Sequence, residues 1–253
     1  MSETVRVEVA ESIATITLNR PDQRNALDLA MCIALLDAVK RVGADTAVRV
    51  VLVRAAGPAF CAGADLKERQ AMNEDQVRTR RLRAFAAYDA LEALEKPCIA
   101  VVHGPCYGSG CEIATACDFA IAGARATFCY PEATRGSVGA TQRLPRIVGP
   151  RMAKDLMFTG RVVHADEALR LGLVTRVVPD AELERAARDI AAQIAKAPPL
   201  ALRLAKRCID KVPETDRAGA LANELLAIEE VLAGDEWRAG AAGFRNPGLK
   251  GGP

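Results

Sequence analysis

Apolar and polar residues alternate along residues 5–18, "VRVEVAESIATITL", on both sides of the turn-like "AES". A period of two predicts strands with one buried face, so this stretch predicts a β-hairpin. Continuous apolar runs predict further strands, and apolar residues three or four positions apart predict helices. The later predicted elements are a helix over 28–43, strands over 48–53 and 96–102, a long helix over 74–94, short strands over 118–123 and 126–128 flanking a turn, and an extended stretch over 172–178. The predicted core stripe of the first helix consists of Leu29, Ile33, Leu36, Val39 and Val42.

From Thr141 onward the pattern becomes almost wholly helical, apart from the extended stretch. Pro198 and Pro199 mark a break, because proline can start a helix but cannot continue one. We therefore expect a mixed α/β domain over 1–195 and a helical C-terminal segment over 196–253. The recurring strand–strand–helix order is compatible with a coiled stack of similar units.

Composition narrows the class of protein. Half of the residues are hydrophobic, 26% are charged and the net charge is +2, as in an ordinary soluble globular protein without a global charge that would attract nucleic acid or an anionic membrane. The eight cysteines include no C-x-x-C pair and several lie in apolar runs, so we expect reduced core thiols. The beginning, "MSETVRVEVAES", lacks a signal-peptide pattern and no apolar run is long enough to span a membrane, so we expect a cytoplasmic protein.

Two turns share one design. "FCAGADL" (60–66) and "CYGSGCE" (106–112) each lead from a strand, through small residues, into a predicted helix. Glycine lets backbone approach a ligand closely, and the first N–H groups of a helix have no internal partner. Two such turns facing each other would offer two N–H donors to one oxygen, which is the geometry of an oxyanion hole.

The acidic residues at these turns have structural interpretations as well. Ser109 and Glu112 fit a capping box, and local sequence favours that interpretation. Glu132, in "TFCYPEATRG", could lie in the first turn of a helix that starts at Pro131 and pair with Arg135. The second turn lacks the third glycine of a dinucleotide-binding loop and the flanking glycines of a nucleophile elbow.

The histidines and the arginine run bear on metal binding, histidine-based catalysis and RNA binding. The two histidines lack metal-ligand spacing to another candidate, so we expect neither a metal site nor a histidine-based triad, and acid–base work falls to carboxylates. "QVRTRRLRAF" (76–85) carries arginines at 78, 80, 81 and 83, a run typical of a solvated helix face. RNA binding through this run is a minority alternative, because aromatics make up only 4% of the chain.

Taken together, the blocks of this sequence resemble the enoyl-CoA hydratase/isomerase (crotonase) superfamily over nearly the whole chain. The matching blocks, in order, are "ITLNRPDQRNAL" (16–27), "AFCAGADLKE" (59–68), "KPCIAVVHGPCYGSGCEIATACDFAIA" (96–122), "ATFCYPE" (126–132), "TQRLPRIVG" (141–149) and "FTGRVVHADEALRLGLVTRVV" (158–178). The resemblance implies a spiral of ββα units and a helical C-terminal region used in assembly. It also implies homotrimers or dimers of trimers, and acyl-CoA thioester substrates in which CoA is part of the substrate and no separate cofactor is needed.

The resemblance also assigns roles to residues. It places the oxyanion-hole donors on the backbone N–H groups of Ala64 and Ser109, where most relatives have glycine in place of Ser109. It makes Glu112 and Glu132, which are twenty residues apart, the pair of acid–base groups found in hydratases. It implies CoA or substrate contacts at Arg24, Ala26, Ala62, Ala64, Asp65, Leu66, Lys67, Gly110 and, from a neighbouring subunit, Phe244.

One loop departs from the family pattern. The segment between Glu132 and "TQRL" is only "GSVGA" (136–140), about three residues shorter than in family hydratases. We expect this change to reshape the acyl pocket. The leading hypothesis is an enoyl-CoA hydratase acting on 2-enoyl-CoA, and the alternatives are an enoyl-CoA isomerase, an RNA-binding relative and a non-catalytic CoA-binding protein.

Overall fold

A computed structural model describes residues 3–235 and 237–238, and the predicted contact residue Phe244 lies outside them. Two sheets form the frame of the molecule. The larger has the order β1-β2-β3-β4-β6-β9 and the smaller has the order β5-β7-β8. The strands are β1 (Val5–Ala10), β2 (Ile13–Leu18), β3 (Val50–Ala55), β4 (Cys98–Val102), β5 (Pro105–Tyr107), β6 (Phe119–Gly123), β7 (Thr127–Cys129), β8 (Val163–His164) and β9 (Arg176–Val178).

Helices connect and cover the strands. They are α1 (Leu29–Ala44), α2 (Leu66–Gln70), α3 (Glu74–Glu92), α4 (Ser109–Ala116), α5 (Arg143–Val148), α6 (Pro150–Thr159), α7 (Ala165–Leu171), α8 (Leu183–Ala195), α9 (Pro199–Lys211) and α10 (Arg217–Leu232). The chain repeatedly adds one strand to the large sheet and the next to the small sheet, as with β4 and β5 before α4. This is the spiral of ββα units that the resemblance implied.

The predicted hairpin is confirmed, because β1 and β2 pair antiparallel from Val5 with Leu18 to Ala10 with Ile13. From β2 onward the strands of the large sheet are parallel. Parallel sheets need cover on both faces, which explains the continuous apolar runs of β3 and β4. The strands β6 and β7 are also confirmed, but they lie in different sheets, so the turn between them is a step from one sheet to the other.

The core lies mainly between the two sheets and the helices α1, α3 and α4. The predicted stripe of α1 is partly wrong. Ile33 is 42% exposed, whereas Met31, Cys32 and Leu35 are fully buried beside the correctly predicted Leu36, Val39 and Val42. The apolar positions of this helix are spread widely enough to fit two neighbouring stripes, and contact with the sheet selects between them.

The other face of the large sheet is covered by α8, whose Leu183, Ala187 and Ala191 pack on β3, β4 and β6. After it, α9 begins at Pro199, as the proline pair predicted. Each of the last two helices buries a single residue, Leu204 in α9 and Ala227 in α10. The division at residue 195 stays a prediction.

All eight cysteines are free thiols and seven of them are buried, which confirms the expectation of reduced core residues. Among the described residues, no helix combines the length and the apolar character needed to cross a membrane.

Candidate active site

The two glycine-containing turns lie side by side. The N–H of Cys61 donates to the Pro105 carbonyl at 3.1 Å, and the N–H of Tyr107 donates to the Cys61 carbonyl at 2.9 Å. Gly110 makes this contact possible, because a Cβ on it would lie 2.6 Å from the Cys61 oxygen. The two turns are therefore in direct backbone contact.

Both turns line one cavity of about 320 Å³. Ser109 is the first residue of α4, so its N–H has no partner within the helix. On the other turn, Gly63 accepts from the N–H of Leu27 and Asp65 donates to the Leu27 carbonyl. In an extended chain the backbone N–H and C=O groups of successive residues point to alternate sides, so the N–H of Ala64 points away from Leu27. Ala64 and Ser109 both line the cavity.

Glu112 is not a helix cap. Gly108 occupies the cap position of α4 and no side chain caps that helix. The Glu112 side chain is buried in the cavity wall, where its Oε1 accepts the N–H of Ala140 at 2.6 Å. Its Oε2 lies 3.4 Å from Nη1 of Arg143. The capping-box interpretation is therefore wrong, and Ala140 and Arg143 fix the orientation of the Glu112 side chain.

Arg143 is a buried cation that the sequence reasoning missed. Its Nη2 also contacts Asp89 at 2.9 Å and Glu92 at 2.5 Å, so three carboxylates share one guanidinium. Asp89 and Glu92 stand three residues apart on α3, which places both on one face of that helix. This spacing, together with an arginine in "TQRL", is the only sequence signal for the network.

Glu132 faces the same cavity in a different environment. Its Oε2 is buried and has no hydrogen-bond partner among the described residues. Burial raises the pKa of Glu132, and the charge of the nearby Glu112 raises it further. A hydrogen bond from the backbone N–H of Glu132 to its own carboxylate lowers the pKa. The cations Arg81 and Arg135 lower the pKa of Glu132, but the net direction is upward. The described structure contains no salt bridge between Glu132 and Arg135, so the predicted surface pair is wrong.

The shortened loop 136–140 contacts both glutamates. A Cβ on Gly139 would lie 3.2 Å from Cγ of Glu132, and Ala140 supplies the N–H that binds Glu112. Ala140 adopts a left-handed conformation, with φ of 56°, which costs an alanine on the order of 1–2 kcal/mol. The strain lies at the residue that orients the Glu112 carboxylate.

The structure brings some of the other predicted contact residues into the cavity and leaves others outside its lining. Ala62 and Leu66 line the cavity beside Ala64. Asp65 lies outside the lining, caps α2 through the N–H groups of Lys67 and Glu68, and pairs with Arg20 at 3.1 Å. Burial tends to raise the pKa of Asp65, but these hydrogen bonds and the Arg20 charge outweigh it, so the net shift of the pKa is downward. Lys67 is exposed outside the cavity lining.

The remaining predicted contacts lie on the loop before α1 and beneath the second turn. Arg24 is exposed in a left-handed conformation, and its carbonyl accepts the N–H of Ala62 at 3.0 Å. The carbonyl of Ala26 accepts from the Arg20 guanidinium. Gly110 packs against Cys61 and does not line the cavity. The roles of these residues in binding stay predictions.

The serine that replaces the usual glycine turns toward Tyr88. Burial raises the pKa of the Tyr88 phenol, and a hydrogen bond with the Ser109 side chain opposes that shift. The hydroxymethyl group is thus engaged with α3, while the backbone N–H of Ser109 remains on the cavity side. Tyr88 lines the cavity and had no signal in the sequence beyond its place on a predicted helix.

The arginine run of α3 is not one solvated face. Arg80 is buried, donates to the Leu27 carbonyl and lies 3.4 Å from Glu68. Arg81 lines the cavity and donates to the Ser137 hydroxyl at 2.6 Å. Arg78, Arg81 and Arg83 are exposed, but only Arg78 and Arg83 lie outside the cavity lining as expected for a solvated surface. The helix crosses the cavity, which hydrophobic spacing alone did not indicate.

Two carboxylates with opposite environments and two backbone donors in one cavity define a site that can stabilise an oxyanion and transfer protons. Residues 8–248 match the family described as Enoyl-CoA hydratase/isomerase. The chain belongs to this family.

Similar proteins cover the chain almost completely. It is 38% identical over 246 residues to a crotonyl-CoA hydratase of Syntrophomonas wolfei, covering 96% of this chain and 95% of the relative. It is 38% identical over 244 residues to a short-chain-enoyl-CoA hydratase of Clostridium acetobutylicum, covering 95% and 94%. The crystal structure of an enoyl-CoA hydratase from Bacillus anthracis aligns with a TM-score of 0.93 at 39% identity, covering 96% of both chains. The crotonase fold is thereby confirmed.

Proposed function

We propose that the protein is an enoyl-CoA hydratase that adds water across the double bond of a 2-enoyl-CoA thioester. The observation that carries the proposal is the pair of unlike carboxylates. Glu112 is held by an arginine and a backbone N–H, whereas Glu132 has a buried oxygen without a described partner. A hydration needs one group that accepts a proton and one that donates a proton, and this pair supplies both.

The thioester oxygen binds between the N–H groups of Ala64 and Ser109. As hydroxide from a water molecule attacks Cβ, negative charge moves onto this oxygen, where each donor contributes about 3–4 kcal/mol of transition-state stabilisation. Glu112 accepts the proton that the water loses. Glu132 donates its proton to Cα, which collapses the enolate to the 3-hydroxyacyl thioester. Proton transfer from Glu112 to Glu132, directly or through solvent, restores the starting state.

The direction of the pKa shift supports this division of roles. Burial favours the neutral form of Glu132, which makes it the proton donor. Glu112, whose Oε2 lies 3.4 Å from the Arg143 guanidinium and whose Oε1 accepts the Ala140 N–H, is then the proton acceptor. The family's isomerase reaction uses the same enolate but needs only one working glutamate.

Steady-state hydration of crotonyl-CoA by wild-type, Glu112→Gln and Glu132→Gln proteins tests the proposal. We expect each variant to lose at least about a hundredfold in kcat while acyl-CoA binding persists, because proton transfer typically contributes 10²–10⁴. Asp75→Asn is a control, since Asp75 is an exposed acid on α3 outside the cavity. If the wild-type protein converts a 3-enoyl-CoA but does not hydrate crotonyl-CoA, the isomerase alternative replaces the hydratase. Bound CoA without turnover of either thioester would identify a non-catalytic CoA-binding protein.

RNA binding remains the alternative from another class, and the division of the arginines on α3 between the core, the cavity and the surface does not favour it. Loss of RNA affinity on replacing Arg78 and Arg83, the exposed arginines outside the cavity lining, would support that alternative. Absence of RNA binding by the wild-type protein would end it.

The proposal includes assembly into a homotrimer or a dimer of trimers and a cytoplasmic location. The exposed apolar residues of α10 support assembly, since an exposed apolar face of this kind marks an interaction surface. They are Leu221, Leu225, Leu226, Ile228 and Leu232. Light scattering of the wild-type protein and of Leu226→Glu tests the assembly, and a wild-type monomer would contradict it. The location rests on the sequence and on the bacterial relatives.

A further inference from the structure

The cavity carries positive charge that the hydration mechanism does not use. Its lining includes Arg69, Arg81 and Arg135 as well as Arg80. Arg80 is paired with Glu68, but the described residues place no carboxylate oxygen within 4.0 Å of the other three guanidinium groups. Of the two acidic residues in the lining, Glu112 shares Arg143 with Asp89 and Glu92, and burial favours the neutral form of Glu132.

Two of these cations lie near the glutamate that protonates Cα. Arg81 and Arg135 are the cations whose charge acts on Glu132, and Arg81 is fixed by its hydrogen bond to Ser137 in the shortened loop. The loop that bears Arg24 and Ala26, where the CoA moiety is predicted to run, is not part of the lining. Arg81 and Arg135 therefore lie on the side of the proton donor, whereas Arg69 lies on α2 with the predicted CoA contact Leu66.

The walls between these charges are apolar. Leu66, Val77, Phe85 and Val138 line the same cavity. An acyl chain can pack against such side chains. Guanidinium groups bind carboxylates through two parallel hydrogen bonds, so an acidic chain end would find matched partners here.

We propose that the preferred substrate is a 2-enoyl-CoA whose acyl chain ends in a carboxylate, which Arg81 and Arg135 bind. This inference rests on the proposed hydratase function and names its substrate class. Hydration proceeds at the double bond as described above, and the distal carboxylate takes no part in bond making or breaking. Its binding positions Cα beside Glu132.

Matched thioesters test the inference. The five-carbon pair is 4-carboxybut-2-enoyl-CoA and 2-pentenoyl-CoA, and the six-carbon pair is 5-carboxypent-2-enoyl-CoA and 2-hexenoyl-CoA. We expect the wild-type kcat/KM to be at least about tenfold higher for the acid in one of the pairs, since a hydrogen bond to a charged group contributes roughly tenfold or more. A wild-type preference for the neutral member of both pairs would overturn the inference.

The variants Arg81→Gln and Arg135→Gln are both exposed-residue changes, so we expect folding to survive. Each should lower the acid-to-neutral ratio of kcat/KM by about tenfold. Arg83→Gln is the matched control, because it removes the same charge from the same helix outside the cavity lining, and it should leave the ratio unchanged. The variants could instead lose the same factor in kcat/KM for both members of a pair and lose nothing with the corresponding pantetheine thioesters. That result would assign the arginines to the CoA phosphates and overturn the inference.

A binding measurement separates failure of this inference from failure of the proposed function. Calorimetry with glutaryl-CoA and pentanoyl-CoA needs no turnover. Tighter binding of glutaryl-CoA that disappears in Arg81→Gln supports the acidic site even if no substrate is hydrated. Equal binding of the two thioesters overturns the acidic site even if crotonyl-CoA is hydrated.

Discussion

Replacing Gly110 by alanine tests whether the contact between the two turns sets the oxyanion hole. Gly110 lies in α4 and does not have a positive φ, so an alanine is acceptable to the backbone and would gain about 1 kcal/mol of helix propensity. The new Cβ, however, would lie 2.6 Å from the Cys61 oxygen and 2.9 Å from the Cys61 Cβ. Ordinary contact begins at 3.4 Å, so the turns must separate by about 0.8 Å, which is 3.4 minus 2.6.

We expect this separation of the turns to lower kcat much more than it lowers the free energy of unfolding. Overpacking costs about 1–3 kcal/mol, and the helix propensity offsets part of it, so the free energy of unfolding should fall by about 0–2 kcal/mol. A displacement of this size between Ala64 and Ser109 should lower kcat for crotonyl-CoA by about a hundredfold, as the loss of one donor does.

The assay combines steady-state hydration with urea unfolding, and Gly43→Ala is the control. Gly43 also lies in a helix without a positive φ, and its Cβ would meet only the Leu94 Cδ2 at 3.2 Å, the end of a flexible side chain. Gly43→Ala should be neutral or stabilising and fully active. A Gly110→Ala protein that is more stable than the wild type and equally active would refute the reasoning.

Two further predictions concern the charges of the site. Arg143→Gln leaves the buried Glu112 without its cation, so the free energy of unfolding measured in urea should fall by about 3–5 kcal/mol. Arg146→Gln is the control, because Arg146 forms an exposed pair on the same helix, and its loss should cost no more than about 1 kcal/mol. Similar losses for both variants would contradict a buried network. Because burial raises the pKa of Glu132 and the donor must be protonated, kcat should fall as pH rises through that pKa. Arg135→Gln removes a cation that lowers this pKa, so its decline should move to higher pH, and an unmoved or lowered midpoint would contradict the role of Glu132.

The sequence predicted elements whose pattern is local and left out what depends on distant partners. The β1–β2 hairpin and the strand–turn–helix units were predictable because alternation, apolar runs and glycine turns are written within a few residues. The shared design of residues 60–66 and 106–112 indicated what the two turns could do if they faced each other, but only the fold brings them together. The assignment of strands to two sheets was not, because β6 and β7 have similar apolar character and only packing separates them.

The site shows the same limit. Glu112 and Ser109 look like a capping box because both residues lie where a helix begins, and no local signal shows that the carboxylate turns away. Its partners are Ala140 and Arg143, 28 and 31 residues further along the chain. The arginines of α3 likewise have no pattern that separates the buried Arg80 from the exposed Arg83, since their directions depend on how the helix crosses the cavity.

The five-residue loop 136–140 serves three tasks. Ala140 presents its N–H to Glu112, Gly139 packs against Glu132, and Ser137 binds Arg81. A longer loop could spread these contacts over more residues, whereas five residues must place them close together, which is consistent with the left-handed alanine at its end. The position of the Glu112 carboxylate, the burial of Glu132 and the orientation of Arg81 are therefore coupled. A change in this loop that alters acyl selectivity should also alter the proton-transfer groups, so selectivity and kcat should change together in loop variants.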